Sequence, residues 1–344
     1  MLANKSILIT GGTGSFGKAL AKEMLTKYPK IKQIIIYSRN EQKQYEMAQE
    51  VLNWGFNAKT KFVIGDIRDI KQLKNTCKNK GQNIDIIIHA AALKHIDLAE
   101  QNPLECIKTN IGGAENIIEV AQELNIQTVI AISTDKACSP TSVYGASKLC
   151  ADKLFVNANN NDNTNFSIIR YANFFGSAGS VVPFFQKEKE KNILPITHLE
   201  TTRFSLTMHE ATAIALDILE KSLENLQNLT EKTEKNTFGG EIFVPKLSSY
   251  KITDLAVTIA PKATLNVIGL RQGEKIHEEM LNQTEADYAF ETEKYYIIAP
   301  KKQLLESCKK RYNGKEIQAN FSLVSNQNTH WISQNELLEM VGNI

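Results

Sequence analysis

With 344 residues the chain has room for a large core, and its length fits two domains or one domain with an appended lobe. Its 40 Lys and Arg nearly balance 38 Asp and Glu, and a formal net charge of +2 gives no general attraction to nucleic acid or an anionic membrane. Five scattered cysteines without a Cys-x-x-Cys pair argue against a disulfide framework. No apolar run reaches the roughly 18 residues of a membrane span, and Met1–Lys5 leads straight into a strand, so a cytoplasmic protein is expected.

Short β-branched runs alternate with longer amphipathic segments through the first half. Ser6–Thr10, Gln33–Tyr37, Lys61–Ile64, Asp85–Ile88, Thr128–Ile132 and Phe166–Arg170 read as strands. Their unbroken apolar character suits parallel strands covered on both faces. Helices are predicted over Lys18–Lys27, Glu41–Asn53, Ile70–Lys80 and Ile111–Leu124, and the repeated βα unit implies a doubly wound α/β sheet. Beyond about residue 176 the pattern loosens, with later strands at Glu241–Val244 and Lys294–Ile298. Asn157–Asn165 and Asn225–Asn236 read as polar surface segments, and Phe184-Phe185 as packing. The expected division is a dinucleotide-binding part over 1–175, joined again by elements near 205–245, and a smaller lobe that carries substrate contacts within 176–344.

The run Gly11-Gly12-Thr13-Gly14-Ser15-Phe16-Gly17 lies between the first strand and the first helix. Glycines at that junction permit a tight turn and let a pyrophosphate approach the helix N-terminus. The second strand ends Tyr37-Ser38-Arg39-Asn40 without the acid that NAD binders carry there. A hydroxyl and a guanidinium suit a 2′-phosphate, so NADP is favoured over NAD. Asp66-Ile67 sits where an adenine edge is read, and Ala90-Ala91-Ala92 allows the cofactor to lie against the backbone.

Tyr144 and Lys148 are four residues apart, on one helix face. The ammonium favours the phenolate and holds a sugar hydroxyl of a cofactor, which makes the Tyr a usable acid or base. Just upstream, Ser133-Thr134-Asp135-Lys136 closes the fifth strand, at the edge where open parallel sheets place ligands. No His pattern matches a metal site, since His277-Glu278-Glu279 lacks the second His of His-Glu-x-x-His, and no metal is expected.

Together these motifs resemble the extended short-chain dehydrogenase/reductase superfamily. More narrowly, the chain resembles the inverting UDP-N-acetylglucosamine 4,6-dehydratases of the bacterial pseudaminic acid pathway. Ile9–Gly17, Tyr37–Arg39, Ala90–His95, Asn102–Asn110, Ser133–Ala137, Tyr144–Lys148, Ser180–Phe185 and Gly273–Glu278 carry that likeness, which runs nearly end to end. It implies oxidation at sugar carbon 4, loss of the carbon 5 proton and carbon 6 hydroxyl, reduction at carbon 6, and reprotonation at carbon 5 with inversion. The cofactor, a tightly held NADP, is regenerated in each turnover.

By that resemblance Asp135 protonates the leaving hydroxyl and Lys136 handles the carbon 5 proton. Tyr144 deprotonates the carbon 4 hydroxyl, Lys148 orients the nicotinamide ribose and lowers the Tyr144 pKa, and Thr134 bonds near the reacting hydroxyl. The implied cofactor residues are Gly11, Thr13, Gly14, Ser15, Phe16, Gly17, Ser38, Arg39, Asp66, Ile67, Ala90, Ala91, Tyr144 and Lys148. Lys94, Lys136, Asn173, Val181, Thr197, Arg271 and Glu274 are the implied substrate contacts, with Arg271 suited to a diphosphate. The implied partner is the small molecule UDP-N-acetylglucosamine, and relatives imply a homo-oligomer, dimer or hexamer. The chain departs from the usual family pattern at Ala172 and Gln272, and at Ala178 where an Arg is common. A UDP-hexose 4-epimerase, which uses the same cofactor and Tyr/Lys pair but needs no Asp-Lys pair, and a non-catalytic NADP-binding sensor stand as alternatives.

Overall fold

The computed structural model describes residues 1–79, 82–159, 164–177, 179–228 and 239–342. Ala178, most of the polar segment 225–236 and part of 157–165 therefore lie outside the described residues.

Ten strands form one sheet: β1 (Ser6–Thr10), β2 (Gln33–Ser38), β3 (Thr60–Ile64), β4 (Ile86–His89), β5 (Thr128–Thr134), β6 (Asn165–Tyr171), β7 (Ile242–Pro245), β8 (Ala289–Glu291), β9 (Tyr295–Ile298) and β10 (Lys315–Glu316). Their order is β10-β8-β9-β7-β6-β5-β4-β1-β2-β3. Strands β1 to β7 run parallel, and β9, β8 and β10 extend the sheet antiparallel. The chain reverses direction of travel across the sheet between β1 and β4, and such a switch opens a crevice at the carboxyl ends of the strands. Every residue of β1, β4 and β6 is buried, as the unbroken apolar runs require for strands covered on both faces.

The covering helices are α1 (Ser15–Lys27), α2 (Glu41–Asn53), α3 (Ile70–Cys77), α4 (Gly113–Glu123), α5 (Val143–Ala158) and α6 (Met208–Asn228). Asn40 caps α2 and Asp69 caps α3, each accepting a backbone N–H of the first turn. α3 ends at Cys77, short of the expected Lys80. α6 packs beside α1, and it takes residues 225–228 of the expected surface excursion into helix. Likewise Asn157 and Ala158 close α5, and Asn165 opens β6 with its side chain buried, so the ends of that Asn-rich segment belong to regular structure.

Segments between β6 and β7, after β7 and near the C-terminal end of the described residues leave the sheet and together build a second apolar cluster. Val182, Phe185, Leu194, Ile196, Tyr250, Leu255, Ala256 and Leu337 form its centre. Its strands Ile193–Ile196 and Thr264–Val267 pair in parallel, a contact between segments some 70 residues apart that periodicity does not announce. Phe185 is buried in this cluster and Phe184 is exposed. No helix among the described residues is long and apolar enough to cross a membrane.

Candidate active site

The glycine turn is shaped by close approach. Gly11 has φ of +66°, and a Cβ there would lie 2.8 Å from the Ala91 backbone. A Cβ on Gly17 would meet Gly12 Cα at 2.6 Å, so the turn and the first turn of α1 press together without side chains. Gly14 stands at the N-cap of α1 and offers no side-chain cap, which leaves the first amides of the helix facing outward from the β1 end. Thr13 Oγ1 donates to Ser38 Oγ at 3.2 Å and ties the turn to the tip of β2. Phe16 turns inward, stacked on Phe174 and tilted against Tyr171, and so serves the core as well as the turn. This cradle fits a dinucleotide: an open helix N-terminus, no Cβ atoms in the way, and the half-buried Ala90 and Ala91 beside it.

At the far end of the cradle Asp66 is already engaged. It accepts the Arg68 N–H and Nε at 2.9 Å and Nη2 at 2.6 Å, and Arg39 Nη1 lies 3.6 Å from it. Burial raises the Asp66 pKa, but the Arg68 bonds and the Arg39 charge outweigh it and leave the carboxyl below its usual range. Ile67 is buried under Gly113, and its carbonyl accepts Asn116 Nδ2 at 2.8 Å. Lys94 is exposed, and its pKa is depressed by desolvation and by the charge of Lys43 on α2.

Five of the sequence-predicted residues converge at the end of β5. Thr134 closes the strand and Asp135–Ala137 forms one 3-10 turn. The turn meets α5 because α5 has a glycine where it crosses: a Cβ on Gly145 would lie 2.3 Å from the Lys136 carbonyl oxygen. Ser142 starts α5 by accepting the Gly145 N–H at 3.1 Å. Tyr144 is thereby buried next to the turn, at 8% exposure.

Asp135, 1% exposed, accepts two bonds on Oδ1, from Thr134 Oγ1 at 2.9 Å and from Lys136 Nζ at 2.9 Å. Burial pushes its carboxyl above the ordinary value, with Lys136 opposing. Lys136 Nζ also donates to Asn173 Oδ1 at 3.0 Å and stands 3.3 Å from Glu278 Oε1. Desolvation works against the ammonium, yet the Asp135 and Glu278 charges outweigh it and raise the Lys136 pKa.

Lys148 is anchored on β5. Its Nζ donates to the Ile132 carbonyl at 2.8 Å, and its pKa is lowered by burial, with Asp152 opposing. The Tyr144 phenol is pushed up to about 12 by burial, and the charge pulling it back is Lys136. The spacing of four placed both side chains on one helix face. It did not place the ammonium, which the carbonyl of β5 captures.

The predicted substrate residues fall into a second group. Thr197 Oγ1 donates to Glu274 Oε1 at 3.1 Å, and Arg271 Nε approaches Glu274 Oε2 at 3.3 Å. Their loop docks on the segment before α5, where Thr141 Oγ1 donates to the Gly273 carbonyl at 2.9 Å. Gly273 has φ of +75°, and a Cβ there would lie 2.8 Å from Ser142 Cβ. Val181 begins the helix Val181–Glu188 and packs on the second cluster. Asn173 joins the Lys136 group and not the Thr197 group.

Sequence reasoning assigned no role to Glu278, Arg203 or Tyr250, which all reach this site. Arg203 Nη2 donates to Glu274 Oε1 at 2.9 Å, and its Nε lies 3.8 Å from Glu278 Oε1. The Tyr250 phenol is pushed up to about 12 by burial, and Arg203, Lys136 and Asp135 all act on it. Their separation from Lys136 by more than 60 residues leaves no local signal.

A doubly wound parallel sheet with an open glycine turn and a Tyr, Lys and Asp group at its carboxyl edge defines a nucleotide-binding Rossmann-type protein. The model of the polysaccharide biosynthesis protein family matches residues 7–300, and the chain belongs to that family. It is 43% identical to a UDP-N-acetylglucosamine 4,6-dehydratase (inverting) from Campylobacter jejuni, over 99% of this chain and 98% of that protein. It is 34% identical to a UDP-glucose 4-epimerase from Rickettsia bellii, over 100% and 97% of the two chains. Among solved structures, Pen from Bacillus thuringiensis superposes with a TM-score of 0.83 at 30% identity, covering 100% of this chain and 99% of that one.

Proposed function

We propose that the chain is an inverting UDP-N-acetylglucosamine 4,6-dehydratase using NADP, with a UDP-2-acetamido-2,6-dideoxy-L-arabino-hexos-4-ulose as product and a place at the start of pseudaminic acid synthesis. The observation that carries this reading is the Asp135–Lys136 pair, bonded at 2.9 Å beside Tyr144. An epimerase acting at carbon 4 needs one proton-transferring group, whereas elimination across carbons 5 and 6 needs an acid and a base more. The 43% identical relative bears the same activity in its name.

A bound nicotinamide dinucleotide supplies temporary storage of the hydride taken from carbon 4 and returned to carbon 6. Gly11, Thr13, Gly14, Ser15, Phe16 and Gly17 would hold its pyrophosphate, with Ala90 and Ala91 beside it, and Ile67 and Asp66 would receive the adenine. Ser38 and Arg39, with Lys43 nearby, favour a 2′-phosphate. Lys148, anchored on Ile132, is the ribose contact.

Tyr144, in the phenolate form that the Lys136 charge favours, takes the proton of the carbon 4 hydroxyl as the ketone forms, and Thr134 orients that hydroxyl. The ketone acidifies carbon 5. Lys136 passes one ammonium proton to Asp135 Oδ1 and becomes an amine, a transfer that the raised affinity of the buried Asp135 carboxyl for a proton assists. The amine takes the carbon 5 proton, and the Asp135 acid gives its proton to the departing carbon 6 hydroxyl, which leaves as water. The carboxylate and ammonium are thereby restored. The proton that Tyr144 took from the carbon 4 hydroxyl then returns the count to balance: it reprotonates carbon 5 on the face opposite to abstraction, which inverts that carbon, leaves the ketone in place and restores the Tyr144 phenolate. Asn173, Val181, Thr197, Arg271 and Glu274 line the UDP-sugar side, with Arg271 on the diphosphate. Lys94, exposed after β4, completes this set. The substrate lobe is the part built on the second apolar cluster, and self-association is part of the same reading.

Proton NMR of the protein with UDP-N-acetylglucosamine in heavy water tests the activity. A carbon 6 methyl signal with deuterium at carbon 5 and couplings of the inverted ring is expected. A galacto sugar without a methyl would mean epimerisation, and an unchanged spectrum would remove the reading. Cofactor choice has its own check: Arg39→Ala should weaken NADP about tenfold and leave NAD affinity nearly unchanged, measured by titration calorimetry. Equal losses for both would count against the 2′-phosphate assignment.

A further inference from the structure

Lys136 is held by two carboxylates from opposite halves of the chain. Asp135 bonds it from its own turn at 2.9 Å, and Glu278 stands 3.3 Å away on a segment that follows the Arg271–Glu274 loop. Glu278 is 3% exposed. Its Oε2 has no hydrogen-bond partner among the described residues, and neither does Asp135 Oδ2. A buried carboxylate oxygen without a donor is costly, so two of them flanking one ammonium call for a reason beyond stability. Glu278 is also firmly placed. Its backbone N–H donates to Ser325 Oγ at 2.9 Å, and Arg203 shares its guanidinium between Glu278 and Glu274.

We propose that Glu278 is a positioning residue for the acid/base pair: with Asp135 it suspends the Lys136 amino group between two carboxylates, so that the group loses and regains a proton without leaving its place. Its part in turnover rests on the dehydratase reading, whereas its hold on Lys136 does not.

The charges around Lys136 agree. Its own turn supplies Asp135 with Thr134, α5 supplies Tyr144, the segment after β6 supplies the neutral Asn173, and the second half supplies Glu278, Arg203 and Tyr250. Lys275 acts on Glu278 as a further cation. Desolvation and Arg203 disfavour the ammonium, and the Asp135 and Glu278 charges favour it more strongly. Neutralising Glu278 therefore lowers the Lys136 pKa and makes proton loss easier. An amine formed without Glu278 has only Asp135 and Asn173 to hold it, so ease of proton loss is gained while position is lost.

The test follows hydrogen exchange of the Lys136 ammonium by NMR of protein with 15N-labelled lysine, the signal being assigned by its loss in Lys136→Arg. Glu278→Gln should speed exchange about tenfold or more, the equivalent of about one pH unit in proton affinity, and Glu278→Asp should speed it less. An unchanged rate in both variants would overturn the proposal, and Glu278→Asp alone decides it if Glu278→Gln does not fold. A parallel arm measures turnover of UDP-N-acetylglucosamine against pH. There Glu278→Gln should lower kcat about tenfold, keep KM within about twofold, and move the limb governed by Lys136 to lower pH. A faster-exchanging ammonium with no product from the unaltered protein would leave Glu278 in its role and defeat the dehydratase reading. Product formation with unmoved exchange and an unmoved pH limb would do the reverse.

Discussion

Lys136→Ala should reduce formation of the 6-deoxy-4-keto product by about 10³-fold, within the range that positioned acid/base groups contribute. The substitution removes the amine bonded to both Asp135 and Asn173, and alanine cannot accept the carbon 5 proton. The first half of the reaction depends on Tyr144 and should persist, so a single-turnover absorbance trace would record reduced cofactor accumulating with ketone. Its pH dependence should also move. Burial already pushes the Tyr144 phenol up to about 12, and Lys136 is the charge that opposes this. Without that cation the phenolate is less favoured, the Tyr144 pKa rises further, and the alkaline rise in carbon 4 oxidation shifts to higher pH. Retention of full dehydration by Lys136→Ala would show that another group removes the carbon 5 proton.

The largest effect on stability should come from Arg170→Leu, a loss of about 3–5 kcal/mol in unfolding free energy measured by urea titration. Arg170 is wholly buried in β6 and grips Glu285 with two bonds of 2.8 Å, while Nη1 also donates to the Met280 carbonyl at 3.0 Å. The bonds hold Glu285 below the ordinary carboxylate range despite its burial, so removal of Arg170 strands a buried charge. Asp152, 4.0 Å from Arg170 and bonded to Ser133 Oγ at 2.7 Å, would lose its nearest cation as well. The paired substitution Arg170→Leu with Glu285→Leu should recover a large part of the loss, because no unpaired ion remains. A single substitution costing under about 1 kcal/mol would mean that water reaches Glu285 and that the bridge is weaker than its burial implies. Glu285 also completes the capping box with Asn282, so this one pair ties the segment before β8 to the middle of the parallel sheet.

The parallel strands and the glycine turn were legible in the chain because both are local. Ser6–Thr10 and Glu41–Asn53 fall where their apolar runs and capping residues place them, and the boundaries of β5 and β6 differ by two residues or fewer at each end. A strand buried on both faces needs a continuous apolar run, and a helix that opens on a bound phosphate needs glycines before it. The Thr134–Lys136 turn and the Tyr144–Lys148 helix were legible for the same reason. Chemistry of this kind clusters at strand ends and helix starts, where sequence neighbours are spatial neighbours.

What the amino-acid order by itself determined is therefore the doubly wound sheet, the cradle at Gly11–Gly17 and the identity of the Asp135, Lys136 and Tyr144 group. The tertiary structure alone decided how those groups are charged and held. It sent the Lys148 ammonium to the Ile132 carbonyl, put Lys136 in opposition to the burial of Tyr144, and brought Glu278, Arg203 and Tyr250 to the site from the second half. It also paired Ile193–Ile196 with Thr264–Val267 and returned β8, β9 and β10 to the sheet. The physical reason is common to all of these. Periodicity and propensity act over one or two turns of chain, whereas the field at a buried amine and the partner of a short edge strand are set by whichever distant segments the folded core brings within a few ångströms.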